Sequence, residues 1–373
     1  MQVVEFGEGR IQQLEHVLDS EEPTRILLLR GNKSYEIFSQ KINKLIKYPY
    51  ESFIVSESNT SFRQLSKAIN VYDKNGCDLV LAVGGGSVID LAKLISLFSV
   101  NRFPITDYLD GKREYKDREN TLIAIPTTSG SGSESTHFAV VYEGIAKYSV
   151  AHDSLLPDYS IVDPELTYSL SPYQTAVSGI DALCQGIESF WSLQSNPESR
   201  EYSREAISLV LKNIETAVIE PTRLSRLDMS RGSHFAGKAI NIAKTTAAHA
   251  FSYPLTKLFG IPHGHAVSLT IGTFYEHNCS EVLYDKNLSS ESSLKSTMSE
   301  LNQIMNVENC NEAKTRLTLL MSNIGLDSRL PETVQYRDSV SDVIKNVNIE
   351  RLSNNPVKVT TEDLANIFKS LCT

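Results

Sequence analysis

The sequence lacks any run of about 18 consecutive apolar residues, and it therefore predicts no transmembrane helix. Its first residues, MQVVEFGEGRIQQLEHVL, mix charged and apolar side chains and contain no apolar signal region. The five cysteines are scattered and form no CxxC pair, which favours a reducing, cytoplasmic compartment. A net charge of −9 argues against binding to nucleic acid or to an anionic membrane, but it permits a local basic pocket for a small anion.

Internal repeats and low-complexity segments are also lacking. The 41% hydrophobic and 22% charged residues of this 373-residue chain indicate a globular protein of about two domains. The first part of the chain alternates helical patterns with continuous apolar runs at 25–31, 51–58, 77–87 and 120–134. Such runs are typical of strands covered on both faces, so an α/β domain with a parallel sheet is predicted for residues 1–166.

Long helical patterns dominate the rest of the chain, and they predict an all-helical domain over residues 167–373. The segment 229–259 is predicted to form one of these helices. Breaks between helices are expected at Gly325, Pro331 and Pro356.

Two glycine-rich stretches follow strand-like runs in the first domain. In VGGGSVIDLAK (83–93), the glycines would let the backbone approach a phosphate, and the following helix would offer its amino terminus, with Ser87 as its cap. This stretch is not the GxGxxG fingerprint, and a tight turn without a ligand is the alternative. IPTTSGSGSE (125–134) is a second such loop. Loops at neighbouring strand ends favour a ligand site at the carboxyl edge of the sheet.

Histidine and carboxylate residues in the second domain have the spacing of a metal site. Asp181 and Gln185 lie four residues apart and share one helix face, while His249 and His263 flank the stretch HAFSYPLTKLFGIPHGH. One carboxylate, one amide and two imidazoles could bind Fe²⁺ or Zn²⁺. The alternative is that the histidines are structural, as isolated histidines usually are.

GGGSVIDLAK, PTTSGSGSE, IVDPELT, DALCQGIE and HAFSYPLTKLFGIPHGH, in this order, resemble the iron-containing (group III, metal-dependent) alcohol dehydrogenases. The resemblance implies a dinucleotide-binding first domain for NAD(H) or NADP(H) and a metal- and substrate-binding second domain, with metal and substrate in the cleft between them. It implies the metal ligands Asp181, Gln185, His249 and His263. It implies these cofactor contacts: Gly85, Gly86, Ser87 and Asp90 at the pyrophosphate, Thr127 and Thr128 along the channel, and Lys147 near the ribose.

The chain departs from the family pattern at two positions. Gln185 replaces a histidine ligand, and its neutral oxygen would bind a metal more weakly or change the metal preference. Tyr253 replaces another histidine and could donate a proton to the substrate oxygen, or it could be a core tyrosine. His265 is a second candidate for proton delivery. RGNKSY (30–35) contains Arg30 and Lys33 and no acidic residue that would repel a 2′-phosphate, so it permits NADPH as well as NADH.

The second domain looks similar to the phosphonoacetaldehyde reductase branch, which reduces that aldehyde to 2-hydroxyethylphosphonate in phosphonate biosynthesis. Lys238 and Lys244, in the helix predicted to lead to His249, would bind the phosphonate, with Arg200 as a weaker candidate. Solvated surface lysines are the alternative. The substrate would be a small, anionic aldehyde or alcohol.

Three other functions stay open. The chain could reduce another small or sugar-derived aldehyde, or it could be a degenerate member that lost its metal and serves as a binding protein. A sugar-phosphate cyclase or glycerol-1-phosphate dehydrogenase is less compatible with the DPELT and PHGH contexts. A homodimer is compatible with these features, and the sequence does not determine the oligomeric state.

Overall fold

The structure, a computed structural model, describes residues 2–56, 60–102, 104–109, 111–143, 146–284 and 293–372, apart from the side chains of residues 33, 34, 146 and 147. The chain divides into two compact units, Met1–Leu170 and Ser171–Thr373. The boundary expected at residue 166 falls within a short 3-10 helix, Pro164–Thr167, just before the observed division.

The first unit contains a parallel sheet with an antiparallel hairpin beside it. Its strands are β1 (Val3–Phe6), β2 (Ile26–Arg30), β3 (Tyr50–Ile54), β4 (Leu79–Gly84), β5 (Thr121–Pro126), β6 (Phe138–Glu143), β7 (Ala146–Ala151) and β8 (Tyr159–Val162). Six of them form the sheet in the order β1-β8-β5-β4-β2-β3, and every neighbouring pair is parallel. The remaining two, β6 and β7, form the hairpin. The predicted parallel sheet is confirmed; β1, β8 and the hairpin were not anticipated.

Helices cover both faces of this sheet. They are α1 (Gln13–Glu21), α2 (Lys33–Leu45), α3 (Phe62–Asn75), α4 (Gly86–Phe98) and α5 (Ile105–Leu109). Along β2, Leu27 and Leu29 pack with residues of α3 and α4, whereas Ile26 and Leu28 pack with residues of α1 and α2. Successive side chains therefore enter different apolar cores, which is why the strand is apolar throughout instead of alternating.

The second unit is helical throughout its described residues, as predicted. Its helices are α6 (Pro172–Trp191), α7 (Pro197–Ile219), α8 (Arg223–Ala243), α9 (Ala247–Phe259), α10 (His263–Tyr284), α11 (Ser293–Ile304), α12 (Cys310–Asn323), α13 (Tyr336–Lys345), α14 (Ile349–Ser353) and α15 (Thr361–Cys372). The expected breaks at Gly325, Pro331 and Pro356 all fall between helices. None of the helices in the described part of the chain has the length and apolar character needed to cross a membrane.

The prediction of one helix over residues 229–259 is wrong. The helix ends at Ala243 and a new one begins at Ala247, with Lys244 at a left-handed φ of 59° between them. Side chains from elsewhere bind the backbone of this break: Ser192 Oγ and Asn354 Nδ2 donate to the Ala243 carbonyl at 2.6 and 2.9 Å. These long-range hydrogen bonds replace intrahelical ones, so Lys238 and His249 lie on separate helices and not on the one continuous helix that was predicted.

The scattered positions of the five cysteines predicted no disulfide. A disulfide joins Cys279 of α10 to Cys310 of α12, with their Cα atoms 5.6 Å apart. Cys77 and Cys184 are buried thiols, and Cys372 is a partly exposed thiol. The compartment stays a prediction.

Candidate functional site

The first glycine-rich loop joins β4 to α4 at the carboxyl edge of the sheet. Gly85 is the N-cap of α4, in an extended conformation, and no side chain caps this helix. The expectation that Ser87 is the cap is therefore wrong: Ser87 lies within the first turn, because the helix begins at Gly86. A helix amino terminus without a side-chain cap leaves its first N–H groups available to an anion such as a phosphate.

The two glycine-rich loops pack directly against each other. Thr127 N donates to the Gly84 carbonyl at 3.0 Å. A Cβ atom at Gly86 would lie 2.7 Å from Ser131 Oγ, so a larger residue there would require the Ser131 side chain to shift. Thr128 is half-buried beside Gly85, and Thr127 is buried with a hydroxyl oxygen that has no hydrogen-bond partner among the described residues. The predicted adjacency of the two loops is confirmed.

Asp90 has both carboxylate oxygens engaged by protein donors. Ser133 Oγ donates to Oδ1 at 2.6 Å, and Val140 N donates to Oδ2 at 3.1 Å. Asp90 therefore anchors the second loop and β6 to α4, and a direct contact with a cofactor stays a prediction. The side chain of Lys147 lies outside the described residues; its backbone pairs with Tyr142 in the hairpin.

A buried lysine beneath these loops was missed by sequence reasoning. Lys93 Nζ donates to the carbonyl of Thr136 at 2.8 Å and to that of Phe138 at 3.0 Å. Burial lowers the pKa of Lys93 to about 8, against the opposing effect of the carboxylates of Asp90 and Glu134. A lysine one turn after Asp90, inside an otherwise apolar helix, was the available sequence signal.

The carboxyl end of β2 lies where the strand order reverses, between β3 and β4. Arg30 is the last residue of this strand; its Nε donates to Ser52 Oγ at 2.9 Å, and its guanidinium lies 4.9 Å from the centre of the Tyr35 ring. Lys33, the second cation expected here, has its side chain outside the described residues. Ligands of open α/β sheets bind at such a reversal.

In the second unit, three helices bring the predicted metal ligands together. Helix α6 presents Asp181 and Gln185, one turn apart, with Gln185 Nε2 donating to Asp181 Oδ2 at 3.3 Å. Helix α9 presents His249 and helix α10 begins at His263. Ligand atoms of Asp181, His249 and His263 all lie within 4.8 Å of one another.

These residues fit a divalent metal. Gln185 Oε1 and His249 Nε2 are buried, and neither makes a hydrogen bond with the described residues. His249 Nε2 lies 3.4 Å from Asp181 Oδ1. Buried polar atoms are costly to leave without a partner, and a cation bound among them would satisfy all of these acceptors together. The set would hold Fe²⁺ or Zn²⁺ through one carboxylate, one amide oxygen and two imidazoles.

Glu188, which sequence reasoning missed, orients the His249 ring by a contact with its Nδ1 atom. Its Oε1 accepts hydrogen bonds from Thr246 Oγ1 at 2.8 Å and Ala248 N at 2.9 Å, at the amino terminus of α9. Its Oε2 contacts His249 Nδ1. Burial lowers the pKa of His249, but the carboxylates of Glu188 and Asp181 outweigh this effect and raise it to about 9. With Nδ1 engaged, Nε2 is the nitrogen available to a metal.

The two candidates for proton delivery have different surroundings. The Tyr253 ring stacks on that of His263, with their centres 5.8 Å apart. Burial raises the pKa of Tyr253, and the charge and hydrogen bond of Arg351 oppose this rise. His265 is buried, and its Nε2 lies 2.7 Å from the carbonyl of Asp327. Tyr253 therefore contacts the ring of a predicted metal ligand, whereas one His265 nitrogen is engaged by the backbone.

Both units match models of one protein family. Residues 2–164 match the iron-containing alcohol dehydrogenase model, and residues 175–372 match the model of the carboxyl-terminal domain of the same family. The chain belongs to the iron-containing alcohol dehydrogenase family. The resemblance inferred from the motifs is confirmed.

Several members of the family are similar to this one. Long-chain-alcohol dehydrogenase 1 of Geobacillus thermodenitrificans is 42% identical over 192 residues, 51% of this chain and 49% of that protein. Phosphonoacetaldehyde reductase of Streptomyces viridochromogenes is 33% identical over 210 residues, 54% of this chain and 53% of that protein. These alignments span about half the length of the curated relatives. The crystal structure of sulfoacetaldehyde reductase from Bifidobacterium kashiwanohense, in complex with NAD⁺, has a TM-score of 0.89 at 27% identity, covering 100% of this chain and 97% of that one.

In this member of the iron-containing alcohol dehydrogenase family, the cations expected to bind the substrate have other partners. The Lys238 ammonium lies 4.2 Å from the centre of the Tyr202 ring, and Lys244 Nζ lies 3.1 Å from Glu350 Oε1. Arg200 Nη1 donates to Thr297 Oγ1 at 3.1 Å. Their roles in substrate binding stay predictions.

Proposed function

We propose that this protein catalyses the NAD(P)H-dependent reduction of a short aldehyde to its alcohol, with a divalent metal at Asp181, Gln185, His249 and His263. The observation that carries the proposal is the convergence of buried ligand atoms from three helices in a member of this family. The three ligand residues that match the family, Asp181, His249 and His263, and the paired glycine-rich loops also argue against a degenerate binding protein.

The residues of the chain would divide the work as follows. The first turn of α4 would bind the cofactor pyrophosphate, with Thr127 and Thr128 beside it. The cofactor supplies the hydride, and the metal supplies Lewis acidity toward the carbonyl oxygen. Glu188 fixes the ring of His249. The Tyr253 hydroxyl would donate a proton to the oxygen of the product, with His265 as the second candidate.

The substrate we favour is phosphonoacetaldehyde, reduced to 2-hydroxyethylphosphonate. Two of the similar proteins are named as reductases of acetaldehydes that bear a phosphonate or a sulfonate group. The second candidate is an uncharged alcohol or aldehyde, because the long-chain-alcohol dehydrogenase is similar at 42% identity.

The experiment that tests the proposal measures NADH and NADPH oxidation with phosphonoacetaldehyde, sulfoacetaldehyde, acetaldehyde and a long-chain aldehyde, each with and without Fe²⁺ or Zn²⁺. We expect metal-dependent turnover, with the highest kcat/KM for an anionic aldehyde. Higher kcat/KM for the long-chain aldehyde would favour the second candidate. Absence of turnover with every aldehyde, cofactor and metal would refute the reductase proposal.

The same assay compares the two nucleotides and the two lysines. Arg30 at the end of β2 favours use of NADPH beside NADH, because it offers a cation near the expected position of a 2′-phosphate. Lys238→Met and Lys244→Met test the contacts predicted from the sequence. A rise in KM confined to anionic aldehydes in either variant would support a direct contact with the substrate.

A further inference from the structure

We infer that Arg351, held in place by its contact with Tyr253, binds the anionic group of a short aldehyde substrate. This inference rests on the proposed function and names the substrate class of the same site: an aldehyde with a phosphonate or sulfonate group on the carbon next to the carbonyl.

The side chain of Tyr253 lies between Arg351 and the ring of His263, a predicted metal ligand. Arg351 belongs to α14 and is only 7% exposed, and α14 packs against α9, the helix of His249 and Tyr253. The Arg351 guanidinium is a hydrogen-bond partner of the Tyr253 side chain. The ring of Tyr253 in turn stacks on His263 at 5.8 Å. A two-carbon substrate needs its anion site this close to the group that polarises its carbonyl.

Hydrogen bonds on both sides of α14 fix the position of Arg351. Asn348 caps the helix, its Oδ1 accepting from Arg351 N at 2.8 Å, and Asn348 N donates to the Ala250 carbonyl at 3.4 Å. After the helix, Asn354 Nδ2 donates to the carbonyls of Ala243 and Thr245 at 2.9 and 3.1 Å. The guanidinium is therefore held by a structured backbone, which lowers the ordering cost of binding an anion.

The charges around Arg351 favour an anion once a metal is present. A guanidinium stays protonated when buried, and it binds tetrahedral oxyanions through two parallel hydrogen bonds. The neighbouring carboxylate of Glu350 is already paired with Lys244. Near Tyr253 lie the carboxylates of Asp181 and Glu188, and a divalent cation at the predicted ligands would, together with Arg351, outweigh their charge. The net charge around Tyr253 would then be positive, so this region would stabilise a bound dianionic substrate more than a neutral one.

The test compares Arg351→Met and Arg351→Lys with wild type on phosphonoacetaldehyde, sulfoacetaldehyde and acetaldehyde. We expect Arg351→Met to raise KM for the two anionic aldehydes about 10- to 100-fold, a much larger change than the change in KM for acetaldehyde, which reports any effect through Tyr253. Arg351→Lys should raise KM for the anionic aldehydes by a smaller factor, since lysine keeps the positive charge but not the paired donors of the guanidinium. Arg204→Met is the matched control, because Arg204 pairs with Glu300 at the surface of the same unit.

Calorimetry with 2-hydroxyethylphosphonate provides a readout other than turnover, and we expect weaker binding in both Arg351 variants. An equal loss for acetaldehyde and the anionic aldehydes would identify a structural role and overturn the inference. Unchanged KM for the anionic aldehydes in a folded Arg351→Met protein would overturn it too. If Arg351→Met does not fold, the KM values of Arg351→Lys for the anionic aldehydes and for acetaldehyde provide the same test. Wild type inactive toward every aldehyde would instead refute the proposed function.

Discussion

Glu188 engages His249 Nδ1, and the same carboxylate accepts hydrogen bonds from the backbone at the start of α9. One buried side chain of α6 therefore sets both the orientation of an imidazole and the position of the helix that presents it. Asp181, Gln185 and Glu188 lie at successive turns of α6, so a single helix face supplies two metal-ligand candidates and the support for a third.

Replacing Glu188 by Gln should lower the affinity for a divalent metal about 10- to 100-fold, because the amide keeps the size of the side chain but not its charge toward His249. Equilibrium dialysis with Zn²⁺, and the visible absorption of bound Co²⁺, measure this effect without turnover. Glu300→Gln is the control, since Glu300 pairs with Arg204 at the surface. Unchanged metal affinity in Glu188→Gln would show that Glu188 serves only the fold of α9.

His263→Ala should lower kcat/KM by at least about tenfold and reduce the bound metal, as expected on loss of a ligand. His277→Ala, on the same helix α10, is the matched control and should retain the kcat/KM and the metal content of wild type. Near-normal activity and metal content in His263→Ala would contradict the metal-site assignment.

Gln185→His should bind Zn²⁺ or Fe²⁺ more tightly than wild type, because an imidazole is a better ligand for these ions than an amide oxygen. The position is buried four residues from Asp181, so the new ring would lie on the same helix face. Competition with a chromophoric chelator measures the affinity. Loss of activity with unchanged metal binding would give Gln185 a role other than ligation.

Lys93 predicts a specific pH dependence of stability. Its pKa is lowered from 10.5 to about 8 by burial, so between these values the unfolded chain holds a proton that the folded protein has released. Stability should therefore rise with pH from about 8 to about 10.5, by at most about 3 kcal/mol, relative to Lys93→Met. Urea unfolding of both proteins across this range measures the difference. Lys67→Met, an exposed lysine of α3, should show no such trend. Parallel curves for wild type and Lys93→Met would refute this assignment.

Gly86→Ala should weaken cofactor binding about tenfold or more while leaving metal affinity intact. The added Cβ would lie 2.7 Å from Ser131 Oγ and 3.0 Å from Ser131 Cβ, so the Ser131 side chain of the second loop would have to shift where the loops meet. Fluorescence titration with NADH and NADPH measures the effect. A variant that binds both nucleotides as tightly as wild type would show that these loops do not hold the pyrophosphate. Ser66→Ala, at an exposed position of α3, is the control and should bind both nucleotides as wild type does.

Sequence reasoning succeeded where the signal was local and failed where a partner came from a distant segment. Continuous apolar runs predicted the central strands because burial on both faces leaves no alternation. The single helix predicted over 229–259 failed because Ser192 and Asn354, far away in the chain, satisfy the backbone at the break. The disulfide between Cys279 and Cys310 likewise had no local signal.

The sequence by itself determined the order of the two units, the glycine-rich turn before α4 and the identity of the metal-ligand candidates, since spacing along a helix or between a strand and a helix is a local property. Only the tertiary structure decided which side chains support them. Glu188 contacts His249, Lys93 binds the backbone after the second glycine-rich loop, and Arg351 contacts Tyr253, so each acts on a residue from another helix or loop. A buried charge is positioned by whatever packs around it, and the sequence does not record those neighbours.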